Sequence, residues 1–304
     1  MLIDLLLVIV GFVGLLVGSI TDIQKREVAD WVNYFLIFSG LGLRVIYSLH
    51  THDWLFLGYG ILGFASFTAL AYAMFYTGQW GGGDSKMLIA MGALFATYPS
   101  FFLEYFNPNF FGFPFLLAFW INLLLVGAVY GLLWTFGVGI FHLKDLRYSW
   151  RKWMSDYTVL QIRTISHLFA LVLLIGGVLL SNYLELRILW FASLSFSLMI
   201  VGFFYLFILV KSVENSCMYR VVTPDQLVEG DWTFDDIEID GKIIFSKNKK
   251  IGLETKDIEN IKKYYNKNKI KKIKIKHGVP FVPSFLLSMI VTIIYGNIIM
   301  FFIL

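Results

Sequence analysis

Eight stretches of this chain are apolar for about the length of a bilayer crossing, and that repetition constrains the fold more than any other feature. A hydrocarbon core takes roughly 20 residues of helix to cross. The stretches are Leu2–Ile20, Trp31–Leu49, Trp54–Thr77, Ser85–Leu103, Phe113–Phe141, Ile165–Asn182, Ile188–Val210 and Phe281–Leu304. Inside lipid no water satisfies backbone N–H and C=O groups, so each segment must satisfy them within itself, as a helix does. Composition agrees, with 58% hydrophobic residues against 15% charged. The expected fold is an all-α polytopic membrane bundle of six to eight transmembrane helices with one small cytoplasmic α+β domain. The single cysteine, Cys217, excludes an internal disulfide framework and a multi-cysteine zinc site, and reads as a buried small residue. The first segment has no basic residue before it and carries Asp4, so it reads as a span and not as a cleaved signal.

Orientation follows from lysine and arginine. Lys25 and Arg26 follow segment 1, Lys86 follows segment 3, and Lys144, Arg147, Arg151, Lys152 and Arg163 follow segment 5. Lys211, Arg220 and thirteen further lysines follow segment 7. The other links are almost bare, with Arg44 and Arg187 nearest that side. The odd-to-even links are therefore expected in the cytoplasm and both termini outside. The net charge of +4 reflects this topology and gives no reason to expect nucleic acid. Expected domains are a transmembrane core over 1–211, a cytoplasmic domain over 212–279 and a final helix over 280–304.

Two carboxylates stand out. Gly14 and Gly18 form a small-xxx-small face in segment 1, and four residues on lies Asp22. A carboxylate at the end of a helix meets the unfavourable pole of that helix's dipole. Asp22 reads either as an ordinary interfacial charge or as a functional group, whereas Asp30 reads as the N-cap of the next helix. The second carboxylate sits in Trp80-Gly81-Gly82-Gly83-Asp84-Ser85-Lys86-Met87. Asp84 suits an N-cap, but the glycines before it also leave room for another backbone. Asp22 and Asp84 share the cytoplasmic side. Brought close, such a pair holds one proton between them. The ionised member can take a proton from water while the protonated member polarises a carbonyl and later serves the leaving amine. That chemistry needs no metal or cofactor, and none is expected.

The run Gly-Gly-Gly-Asp-Ser-Lys-Met-Leu-Ile-Ala-Met-Gly-Ala at 81–93 resembles the type IV prepilin peptidases, and Gly81-Gly82-Gly83-Asp84 fits the G-x-G-D pattern of membrane aspartyl proteases. Asp22, with Asn33 eleven residues later, resembles the first catalytic aspartate of that family. Gly278-Val279-Pro280-Phe281-Val282-Pro283 and Asp225–Trp232 resemble the archaeal preflagellin (archaellin) branch. The resemblance covers segments 1–4 and residues 211–304. It implies catalytic Asp22 and Asp84, supported by Gly81, Gly83 and Lys86. It also implies a substrate with a basic leader and an apolar helix, cut at the cytoplasmic membrane face. Bacterial members often have a cysteine-rich loop and a methyltransferase activity, and the lone cysteine argues against both here. Three other readings stay open: a presenilin-type intramembrane protease, a proton- or cation-coupled transporter, and an inactive scaffold. A transporter should carry more polar residues deep in other spans, and Asn122, the clearest of these, reads as a helix–helix hydrogen-bonding group.

The soluble part has local signals of its own. Asp235–Asp240 and Lys242–Lys247 flank Asp240-Gly241, a hairpin signal. Thr255 is placed to cap a helix to about Asn266, and Ile270–Lys276 alternates as a half-buried strand does. Glu229, Asp231, Asp235, Asp236 and Glu238 form an acidic patch suited to the basic end of a substrate. His142–Arg163 reads as a cytoplasmic loop with aromatic anchors at the lipid surface, and His142 and His167 as structural.

Overall fold

A computed structural model describes residues 2–239, 241–247, 252–276 and 278–299. Its helices are α1 (Leu2–Lys25), α2 (Asp30–Thr51), α3 (Trp54–Tyr76), α4 (Gly82–Leu94), α5 (Phe115–Phe141), α6 (Leu143–Ser155), α7 (Tyr157–Leu184), α8 (Arg187–Cys217), α9 (Thr255–Asn266) and α10 (Val282–Tyr295). Short strands are β1 (Tyr219–Val222), β2 (Ile237–Ile239), β3 (Lys242–Phe245) and β4 (Ile273–Lys276). Among the described residues, six helices, α1, α2, α3, α5, α7 and α8, are long and apolar enough to cross a membrane. The chain is thus a polytopic helical bundle with a small α+β part. It divides into two compact units, residues 1–131 with 220–304, and residues 132–219.

Two of the eight expected crossings are shorter than expected. Helix α4 has 13 residues, a rise of about 20 Å at 1.5 Å per residue, against roughly 30 Å of hydrocarbon. Helix α10 has 14 residues and stops at Tyr295, where Gly296 turns left-handed with φ +79°. Residues 300–304 of that expected span lie outside the described residues.

The end of α4 has a specific cause. Arg44 of α2 is fully buried. Its Nε donates to the carbonyl of Ala93 at 3.2 Å and its Nη2 to that of Leu94 at 3.0 Å, while Nη1 donates to Phe56 at the start of α3, also at 3.0 Å. The last carbonyls of a helix have no intrahelical partner, and here a guanidinium supplies one. The same group lies 4.3 Å from the centre of the Phe56 ring. Sequence placed Arg44 among the charges of an external link. The structure corrects this: it is an interior crosslink of α2, α3 and α4.

In the first unit, α1 turns its glycines inward. A Cβ at Gly11 would strike Phe95, at Gly14 the side chain of Leu36, and at Gly18 the end of Met87. The small face therefore admits side chains from α2, α4 and the residue after α4. Asn122 of α5 does join helices: its Nδ2 donates to Thr292 Oγ1 at 2.8 Å and to the carbonyl of Gly296 at 2.7 Å, and its Oδ1 accepts from the N–H of Ile298 at 3.1 Å.

The α+β part is built around Val222, Phe245, Ile258, Ile261, Ile273 and Ile275. Strands β2 and β3 are antiparallel with Ile239 opposite Lys242, as the hairpin signal required; Asp240, in its turn, lies outside the described residues. Strand β1 pairs with β4, whose Ile273 and Ile275 are buried in alternation with exposed lysines. Glu254, not Thr255, precedes the first turn of α9, in a reciprocal box with Asp257.

In the second unit, residues 143–155 form helix α6, where sequence expected a loop. The amphipathic pattern of Trp150, Trp153 and Met154 packs on Val159, Phe204 and Ile208. Asp156 then caps α7 by accepting from Thr158 and Val159. Helices α7 and α8 form a long apolar pair joined at Ser197, whose hydroxyl donates to the carbonyl of Ala170 at 2.8 Å. His167 accepts its structural reading: Nδ1 is 2.7 Å from the carbonyl of Arg163 and Nε2 3.3 Å from the Tyr205 hydroxyl.

Candidate active site

Asp22 occupies the last turn of α1 and is buried. Its Oδ2 accepts the N–H of Val282 at 2.9 Å, and the N–H of Phe281 also bonds to the carboxylate. Those are the free N–H groups that open α10. The unfavourable dipole of its own helix is thus answered by the favourable pole of another. The chain leaves α1 through Arg26, whose N–H closes on the carbonyl of Asp22 at 2.9 Å and whose backbone is left-handed at φ +61°. The Arg26 guanidinium is within electrostatic reach of Asp22 and of the Tyr130 hydroxyl from α5.

Asp84 lies in the first turn of α4 and outside the six candidate spans. Gly81 precedes the helix in an extended conformation; its N–H bonds to the Asp84 carboxylate while its carbonyl accepts from Ser85 at 3.1 Å. Part of the residue remains exposed, but its carboxyl is enclosed. That enclosure, then the charge of Asp22, pushes Asp84 up to about 7. The two aspartates therefore stand within range of each other, brought together by Gly18. The position a Cβ would take there is 2.7 Å from Met87, 3.3 Å from Val282 and 3.8 Å from Val28, so α1, α4, α10 and the α1–α2 link converge on it.

The glycines of the motif provide space. Gly81 has φ −72°, an ordinary value, and a Cβ there would stand 3.6 Å from Asp84 Oδ2. A Cβ at Gly83 would stand 3.6 Å from the backbone N of Val28. Lys86 is turned away from the pair and binds Asp30 at 2.6 Å. That corrects the reading of Asp30, which makes no cap; Ala29 precedes α2, and Asp30 anchors α4 to α2. Of the acidic patch, Asp231 accepts from the N–H of Val228, Glu229 from the Thr255 hydroxyl and Asp236 from the N–H of Lys247. Asp235 and Glu238 are exposed.

Sequence reasoning gave no site role to Arg26, Tyr130 or Trp80. Trp80 lies next to the glycine run, with ring centres 5.4 Å from Trp120 and Phe281 and 5.5 Å from Phe285. An indole beside three glycines was a signal open to use. The donors from Phe281 and Val282 carried no local signal, since backbone groups leave none.

These features define a class: a polytopic helical membrane protein with one carboxyl at the end of α1 and another at the start of α4, within electrostatic range of each other. Residues 9–136 match the type IV leader peptidase family. The chain is similar to the preflagellin peptidase of Methanocaldococcus jannaschii, 39% identical over 90 residues, which is 30% of this chain and 38% of that protein. It is also similar to the preflagellin peptidases of Methanococcus maripaludis, 40% over 86 residues (28% and 37% of the two chains), and Methanococcus voltae, 36% over 89 (29% and 38%). The match thus spans under two-fifths of each relative's length. No solved structure matches.

Proposed function

We propose that this chain is a membrane-embedded aspartyl endopeptidase that removes the short basic leader of an archaellin or pilin-like precursor at the cytoplasmic membrane face. The observation that carries the reading is the meeting of Asp22 and Asp84, from α1 and α4, inside the leader peptidase region. Both are catalytic, with Gly81 and Gly83 leaving room for an extended substrate and Lys86 holding α4 in place. The preflagellin peptidases to which the chain is similar support the reaction and substrate class.

In this reading one aspartate is ionised and the other protonated. The ionised one takes a proton from water as the water oxygen bonds to the scissile carbonyl carbon, and the other gives its proton to the carbonyl oxygen. On collapse the C–N bond breaks, the leaving nitrogen takes the first proton, and a hydroxyl proton returns to the second carboxylate. The lysine-rich links, with residues 212–279, lie in the cytoplasm and the termini outside, with lipid around the spans.

The test is cleavage of a leader-bearing precursor in membranes by wild type, Asp22→Asn and Asp84→Asn. Wild type should cut at the leader boundary, and each variant should lose at least about 100-fold while remaining folded. Near-normal turnover by either variant would overturn the paired mechanism.

A further inference from the structure

The two carboxylates have unlike surroundings, and the difference originates largely beyond the family-matched region. Asp22 accepts N–H groups from Val282, 2.9 Å away and 260 residues on, and from Phe281, and it has the Arg26 guanidinium within electrostatic reach. Tyr130 faces it from α5 and Asp84 from α4. Asp84 has the N–H of Gly81 and the negative charge of Asp22 beside it. The cation nearest in sequence, Lys86, is committed to Asp30 at 2.6 Å.

We infer that Asp22 is the base of the pair and Asp84 the acid, with the division set by the opening N–H groups of α10 and by Arg26. Enclosure favours the protonated form of both carboxyls; at Asp22 the hydrogen bonds and the cation oppose it, whereas at Asp84 the like charge adds to it. The asymmetry is built into the resting protein. Asp22 removes the proton from water, and Asp84 delivers its own to the carbonyl oxygen. Arg26 and the start of α10 are positioning groups, because they act on Asp22, α10 through the Val282 N–H and Arg26 through its charge. This assignment rests on the peptidase reading, but the location of the proton can be measured without catalysis.

The first experiment is infrared difference spectroscopy of the full chain labelled with ¹³C-aspartate, at about pH 6, below the value at which Asp84 ionises. The protonated-carboxyl band should vanish in Asp84→Asn and survive in Asp22→Asn. Loss in Asp22→Asn with survival in Asp84→Asn would reverse the roles and overturn the inference. If wild type cleaves no precursor, the peptidase reading fails while this spectrum still decides where the proton sits. The second experiment compares the pH dependence of kcat/KM in Arg26→Gln and Arg26→Lys. The acidic limb should rise by about one pH unit in Arg26→Gln and return in Arg26→Lys. A uniform loss of rate with both limbs in place would make Arg26 structural and remove it from the device.

Discussion

Among the described residues, the first unit buries an arginine, three asparagines and an aspartate among helices that are partly too short to cross a membrane; the second consists mainly of two long apolar helices with much of their side-chain surface exposed. Charged groups are costly in hydrocarbon and persist where they have partners or work to do. In the first unit the partners are backbone groups: Arg44 meets carbonyls of α3 and α4, and Asp22 meets N–H groups of α10. In the second, polar side chains mostly return to nearby carbonyls, as Ser212 and His167 do. Length and hydropathy therefore identify the helices that span, while broken helices with buried charges identify where chemistry can occur.

The contrast can be broken most directly at the aspartates, where each Asn variant should lose cleavage by at least about 100-fold. Arg44→Met should come next. It leaves three carbonyls, two of them in buried contacts, without a guanidinium, and the expected loss is about 3 kcal/mol, read from thermal unfolding in detergent. Ser197→Ala in the second unit should cost only about 1 kcal/mol; comparable losses in both would undo the contrast. pH sharpens it further. Asp84 is raised to about 7, so activity that needs it protonated should fall as pH rises through that value. Stability from its protonated form is full below the ordinary 3.8 and is lost as pH rises towards about 7, the opposite of a salt-bridged aspartate. Chemical denaturation across that interval, in wild type and Asp84→Asn, checks the sign. The smallest effect belongs to Lys86→Met, where both partners of the ion pair are substantially exposed, and about 0.5 kcal/mol is expected.

Much of this was open to a reader of the sequence alone. The long apolar runs marked the spans, the Gly14–Gly18 face marked close packing, and alternating isoleucine and lysine marked β4. What escaped was set by distant partners. Apolar composition continues past Leu94, so hydropathy extends α4 to Leu103, whereas Arg44 takes the carbonyls at its end. Asp30 had the spacing of a cap, but the ammonium of Lys86, 56 residues away, competes for it. Residues 142–163 looked like a loop because charge hid the amphipathic period of α6. Asp22 was legible as a misplaced charge, and only the fold identified the donors that make its position favourable.

The bond from Val282 to Asp22 also bears on timing during synthesis. A ribosome that has reached residue 250 has made both aspartates, the glycine run and the six long apolar helices described above, but not β4 or the segment with Pro280 and Pro283 that presents the closing N–H groups. Until residues 281 and 282 are made, the growing chain holds both carboxylates without the hydrogen bond from α10 to Asp22. The contact between α1 and α10 thus forms only after the long apolar helices have been made, and it is the latest to be supplied of the contacts described at Asp22.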